Sequence, residues 1–151
     1  MRFRRLHESC KRNAFLSGEH IMANWYGAAR SNYVTITDIE ALKADFDAKN
    51  LCIECVEKNG KYAFLPGNSE DGEFPSLLED DSDWALEDSV LEFMPDDEVL
   101  VVMGSGAEKL RYITGYAYAC MRGKPTVFLN LDNIYHKAEE AFGVDPTRAE
   151  Y

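Results

Sequence analysis

The spacing of apolar residues along the chain predicts a helix first. Ile39, Leu42 and Phe46 recur at helical intervals, and the pattern stops near Lys49. Thr37-Asp38-Ile39-Glu40 just upstream has the form of a capping box, with the Thr37 hydroxyl placed to cap and Glu40 at the third helical position. Residues 32–36, "NYVTI", alternate as a half-buried strand does. The preceding "ANWYGAARS" reads as an aromatic lead-in, with Arg30 as a structural clamp.

Residues 51–66, "LCIECVEKNGKYAFLP", predict a β-hairpin, because Asn59-Gly60 suits the two positive-φ positions of a type I′ turn. That turn sets the register: Cys55 faces Phe64, Glu57 faces Tyr62, and one side carries Ile53, Cys55, Tyr62 and Phe64. The polar "GNSEDGEFPS" follows as a loop. Trp84, Leu86, Val90, Leu91 and Met94 are the apolar members of the next, acidic segment; they fit a short helix poorly and a helix followed by a strand equally well, and Pro95 closes it. "EVLVVM" predicts a buried strand and "GSGAEKL" a turn. A second hairpin then pairs "RYITGYAYACM" with "PTVFLNL" across Arg122-Gly123-Lys124. Asp132 is placed to cap a last helix whose Ile134, Ala138 and Phe142 share a face, ended by Gly143 and Pro146. The predicted class is α+β: an antiparallel sheet of five or six strands built from two hairpins, with two or three helices packed on one face.

Composition supports a folded domain. The chain has 151 residues, 46% of them hydrophobic and 12% aromatic, enough to bury a core. We expect one domain over residues 22–151, with an acidic insertion near 67–98 and a basic extension over 1–21. The extension holds Arg2, Arg4, Arg5, Lys11 and Arg12 against Glu8 and Glu19, and lacks the apolar run of a secretory signal. Gly18-Glu19 is also compatible with a ribosome-binding sequence ahead of a start at Met22, so the extension is expected to be an optional, poorly ordered segment.

Charge changes the picture more than composition does. The formal net charge is −11, which disfavours direct contact with nucleic acid or an anionic membrane. No apolar run approaches the roughly 20 residues of a membrane span. From Tyr62 to Glu108, 47 residues, there is no Lys, Arg or His. Within that gap "LLEDDSDWALEDS", residues 77–89, carries six acids in thirteen positions. A solvated loop is the plain reading of such a run. The sharper one is mimicry of a nucleic-acid backbone. As a helix, Glu79 to Asp88 would span about 15 Å and present a charge every ~2.5 Å, against one per about 1.7 Å in duplex DNA. Trp84 and Leu86 would either anchor the segment or touch a partner.

Other chemistries find little purchase. Cys52 and Cys55 form a C-x-x-C, but on a strand they point to opposite faces, and we expect Cys10, Cys52, Cys55 and Cys120 to be reduced structural thiols in a cytoplasmic protein. His7, His20 and His136 are far apart, and the neighbours of His136 put it on an exposed helical face. "GSGAEK" matches neither a P-loop nor a dinucleotide fingerprint. Counting an EF-hand from Asp81 puts Ala85 and Leu86 at the fifth and sixth positions, where an oxygen ligand and a glycine are required. Tyr112, Tyr116 and Tyr118 lie on or near one strand, and without surrounding cations they suit packing better than base stacking. We therefore expect no cofactor, no metal and no catalytic residue.

"NWYGAARSNYV", "GAEKLRYITGYA" and "LNLDNIYHKAEE" resemble segments of small acidic proteins carried by bacterial viruses and plasmids. Characterised mobile-element proteins of this size and charge include inhibitors of host CRISPR or restriction systems. The resemblance thus implies an inhibitor that binds a host nucleic-acid-binding protein, in the bacterial cytoplasm, without contacting nucleic acid or membrane. It transfers no residue roles. From the charge pattern, the partner-binding residues would be Glu79, Asp80, Asp81, Asp83, Trp84, Glu87 and Asp88. The alternatives are a small enzyme with a spatially assembled site, and a structural homodimer formed through a sheet edge.

Overall fold

The structure is a computed structural model that describes residues 25–149 apart from 68, 70 and 109–111. The basic extension over 1–21, including Cys10, His7 and His20, lies outside the described residues. Among those described, the elements are β1 (Trp25–Ser31), α1 (Ile39–Ala48), β2 (Ile53–Lys58), β3 (Lys61–Pro66), α2 (Leu86–Val90), a 3₁₀ turn (Leu91–Phe93), β4 (Leu100–Glu108), β5 (Tyr112–Cys120), β6 (Val127–Asn130) and α3 (Asn133–Phe142). Four strands form an antiparallel sheet in the order β1-β4-β5-β6, and β2-β3 form a separate two-stranded sheet. The class is α+β, with six strands divided between two sheets.

The β2–β3 hairpin has the expected register, with Cys55 opposite Phe64 and Glu57 opposite Tyr62. Asn59 at φ 53° and Gly60 at φ 75° supply the two positive-φ positions its turn requires. Phe64 is fully buried, with Ile53, Cys55 and Tyr62 packed beside it on the same side. In the β5–β6 hairpin, Tyr118 pairs with Phe128 and Ala119 with Val127.

Three expectations are corrected. The strand is not "NYVTI" but the segment before it: β1 covers "WYGAARS" and pairs with β4 over its whole length. Val34 keeps only an isolated bridge to Tyr62 while it and Ile36 turn into the core. "GSGA" is not a turn but the second half of β4. Gly104 pairs with Tyr116, whose ring lies where a side chain would be: a Cβ at 104 would overlap Tyr116 Cζ. The glycine admits the ring rather than bending the chain. Finally, Asp38 caps α1, accepting from the Ala41 N–H at 2.9 Å, while the Thr37 hydroxyl donates to the Phe93 carbonyl at 3.1 Å. The tertiary contact to Phe93 takes the hydroxyl that the capping box would have used.

The core lies on one face of the four-stranded sheet. Leu100 and Val102 of β4 meet Leu42 and Phe46 of α1, Phe64 of β3, and Trp84, Leu86 and Val90 around α2. Phe46 stands edge-on to both Phe64 and Trp84, with ring centroids 6.1 and 6.4 Å apart. The small sheet is pinned to the large one by Ser31, whose buried Oγ accepts from the Phe64 N–H at 2.8 Å. α1 and α2 both cover this inner face. α3 has the expected amphipathic pattern and ends at Gly143 (φ 68°), yet it buries no residue. No helix among the described residues is long and apolar enough to cross a membrane.

Candidate functional site

The acidic segment is a tight turn followed by a single helical turn, so the charge spacing of a continuous helix does not apply. Leu77 bridges Asp83, the Trp84 N–H donates to the Ser76 carbonyl at 2.9 Å, and the Leu78 N–H donates to Ser82 at 2.9 Å. Asp80 closes the tip: its Oδ1 accepts from the Ser82 backbone N–H at 3.0 Å and from the Ser82 hydroxyl. Those two bonds, side-chain first, hold its carboxyl below the usual range. Asp81 takes the left-handed conformation at φ 62°, which a short polar side chain tolerates.

This geometry sorts the predicted residues. Glu79, Asp80, Asp81 and Asp83 are exposed around the turn. Asp88 is exposed but also accepts from the Ala85 N–H at 2.8 Å, capping α2. Glu87 is half-buried and accepts from the Tyr118 hydroxyl at 2.9 Å, facing the sheet rather than solvent. Trp84 is corrected outright: it is 5% exposed, packed into the core, and donates to the Ser89 hydroxyl at 3.2 Å. Of the two roles open to Trp84 and Leu86, the structure shows the anchor. Two apolar side chains hold a charged turn against the body of the protein.

Behind the turn lies an arrangement that spacing does not show. Tyr116 and Tyr118 stack with centroids 6.3 Å apart and planes at 11°. Each hydroxyl donates to a carboxylate: Tyr116 to Glu73 at 2.8 Å and Tyr118 to Glu87 at 2.9 Å. Burial, then the carboxylate, pushes both phenols up, so they remain donors at any ordinary pH. Burial likewise raises Glu73 from its ordinary value, with its bond to Tyr116 opposing. The partners are 43 and 31 residues apart in sequence; the alternation that puts both tyrosines on one face was their sole signal. This pair of links fastens the acidic surface to β5.

The chain matches no protein-family model, no curated protein and no solved structure.

Elsewhere, burial raises the Cys55 thiol to about 11, an inert structural thiol. Cys55 and Cys120 are free, as expected, but Cys52 is disulfide-bonded, against the expectation of a reduced thiol. Among the described residues, no three His, Cys, Asp or Glu side chains gather in a way that could hold a metal ion. His136 is exposed on α3, 3.3 Å from Glu140. Arg30 is exposed on β1, its guanidinium 5.9 Å from the centre of the Tyr33 ring.

Proposed function

We propose that the protein is a mobile-element-encoded inhibitor of a host CRISPR or restriction complex, occupying a basic nucleic-acid groove with its acidic surface. The observation that carries this reading is the built turn at 79–83. A loop that merely solubilises needs no fixed backbone, whereas this turn is fixed by the Asp80–Ser82 bonds, the Leu77–Asp83 bridge and the buried Trp84, and Glu79, Asp81 and Asp83 are exposed around it. A pre-formed turn loses less backbone freedom on binding than a floppy loop. The 47-residue stretch without a cation means that nothing in this part of the chain neutralises it. The mobile-element setting rests on the resemblance of the three quoted segments. The free thiols at Cys55 and Cys120 fit the interior of a bacterial cell; the disulfide at Cys52 does not.

The test uses the carboxylates that the fold spends least on. In a nuclease-treated pull-down from host lysate, the intact protein should capture a nucleic-acid-binding complex. The triple variant Glu79→Gln, Asp81→Asn, Asp83→Asn should lose it, with an unchanged circular dichroism spectrum. Binding should also weaken steeply between low and physiological salt, because exposed opposed charges are screened beyond about 8–10 Å. Equal capture by the triple variant would remove the acidic turn from the interface.

A further inference from the structure

We infer that a second copy of this chain packs, sheet against sheet, on the outer face of the β1-β4-β5-β6 sheet. The strand registers fix what that face carries. Residues 101, 103 and 105 of β4, 113, 115, 117 and 119 of β5, and 127 and 129 of β6 all point away from the core. An antiparallel sheet with one solvated face alternates apolar with polar residues. This one does not: the outward positions of β5 and β6 are Ile, Gly, Ala, Ala, Val and Leu, and β4 adds Val101 and Met103. No charged side chain stands at any of these positions; the charge on this face is Arg30 of β1, at the outward position opposite Met103. Neither α1 nor α2 covers it, since both pack on the opposite side.

The face is also bare. Met103 is 58% exposed, Ile113 66%, Val127 67% and Leu129 56%. α3 leaves β6 two residues later with Ile134 at 60% and Phe142 at 79%. A ten-residue helix that buries nothing is marginal alone and gains most from a partner surface. Met103, Ile113, Val127, Leu129 and Leu131, the last lying against Gly115, at on the order of 100 Å² each present about 500 Å². That is within the range of the largest patch on a monomer, roughly 300–600 Å², and more than half of the roughly 800 Å² each partner gives to a standard interface.

Charge selects the occupant. Residues 25–108 hold 5 basic and 20 acidic residues, whereas residues 112–149 hold 4 of each. Two copies of a protein at −11 repel wherever their acidic parts meet, and approach most easily through the neutral β5–β6–α3 end. Over β4, β5 and β6 the face is uncharged and complementary to itself, as a two-fold interface requires. The small residues Ala117 and Ala119 along β5, between the larger side chains of β4 and β6, leave a furrow into which Met103 or Leu129 of a second copy can set, closed at its Gly115 end by Leu131 of the same chain. The acidic turns, lying across the core from this face, then point away from each other.

The experiment is sedimentation equilibrium of the full chain at micromolar concentration, with far-UV circular dichroism to verify folding. We expect twice the 17.1 kDa monomer mass. Leu129→Lys and Met103→Lys, each tested alone, should sediment as folded monomers, while Leu77→Lys on the acidic turn stays dimeric. Met103 lies on an interior strand and separates face packing from pairing at the β6 edge. A wild-type monomer, or a folded Met103→Lys variant that remains dimeric, overturns the proposal. Should Met103→Lys fail to fold, Ala117→Lys, at an outward position of the interior strand β5, decides in its place.

Discussion

At the scale of single residues, much of this fold depends on side chains that are small where a neighbour is large. Gly104 is the sharpest case, because the Tyr116 ring fills the place of its side chain. That ring cannot easily retreat: it stacks on Tyr118 and its hydroxyl is held by Glu73. Gly104→Ala should therefore destabilise the protein by about 1–3 kcal/mol, the range for overpacking a filled site. Urea denaturation checks this, and an unchanged midpoint would mean that the ring moves freely. Ser31 and Ser89 are the complementary case, buried hydroxyls that each join separate segments. Ser89 accepts from both Trp84 and Lys49, tying the acidic segment to α1.

At the scale of elements, α1 tests which residue starts a helix. Asp38→Ala should cost about 1 kcal/mol, within the 0.5–2 range for losing a cap, measured as a shift in the thermal midpoint. A null result would return the role to Thr37. The elements differed in how far local sequence specified them. The β2–β3 hairpin was readable to the residue pair, because a two-residue turn and strict alternation leave one register. α1 was readable from Ile39, Leu42 and Phe46 for the same reason. β1 was not, since "WYGAARS" has no alternation and becomes a strand only by pairing with β4. The glycines of β4 read as a turn because what they accommodate, Tyr116, comes from another strand. The acidic site was legible as charge and not as shape. Whether Trp84 faced a partner or the core depended on contacts with Phe46 and Ser89, which no spacing rule reaches.

At the scale of the whole molecule, Glu98 ties three segments together. Its carboxylate accepts from the Thr35 hydroxyl at 2.6 Å, the Thr35 N–H at 2.7 Å and the Lys61 ammonium at 3.2 Å. The Thr35 bonds, side-chain first, hold Glu98 below its ordinary value of 4.5. A carboxyl whose folded value is depressed adds stability above that ordinary value and loses it as pH falls through the depressed one. Glu73 has the opposite sign: burial raises it, so its contribution is present at low pH and fades as pH rises through the raised value. Glu98→Gln should therefore weaken the protein at neutral pH and flatten the decline in stability below pH 4.5, followed by urea unfolding at stepped pH. A decline as steep as the parent's would show that other carboxylates govern acid unfolding.

The position of β1 has a kinetic side. Ser31 pairs with Val102, 71 residues on, and Trp25 with Glu108, 83 residues on. The β2–β3 pairs are separated by no more than 13 residues, from Ile53 to Pro66. Loop closure favours short-range pairings, so the two hairpins have the advantage over β1 in time. Until β1 arrives, the long edge of β4 is open to any strand in solution, its own copy included. Crowded synthesis thus sets two apolar or unpaired surfaces side by side during folding. Of these, among the described residues, β1 closes the β4 edge, while Met103, Ile113, Val127 and Leu129 stay exposed.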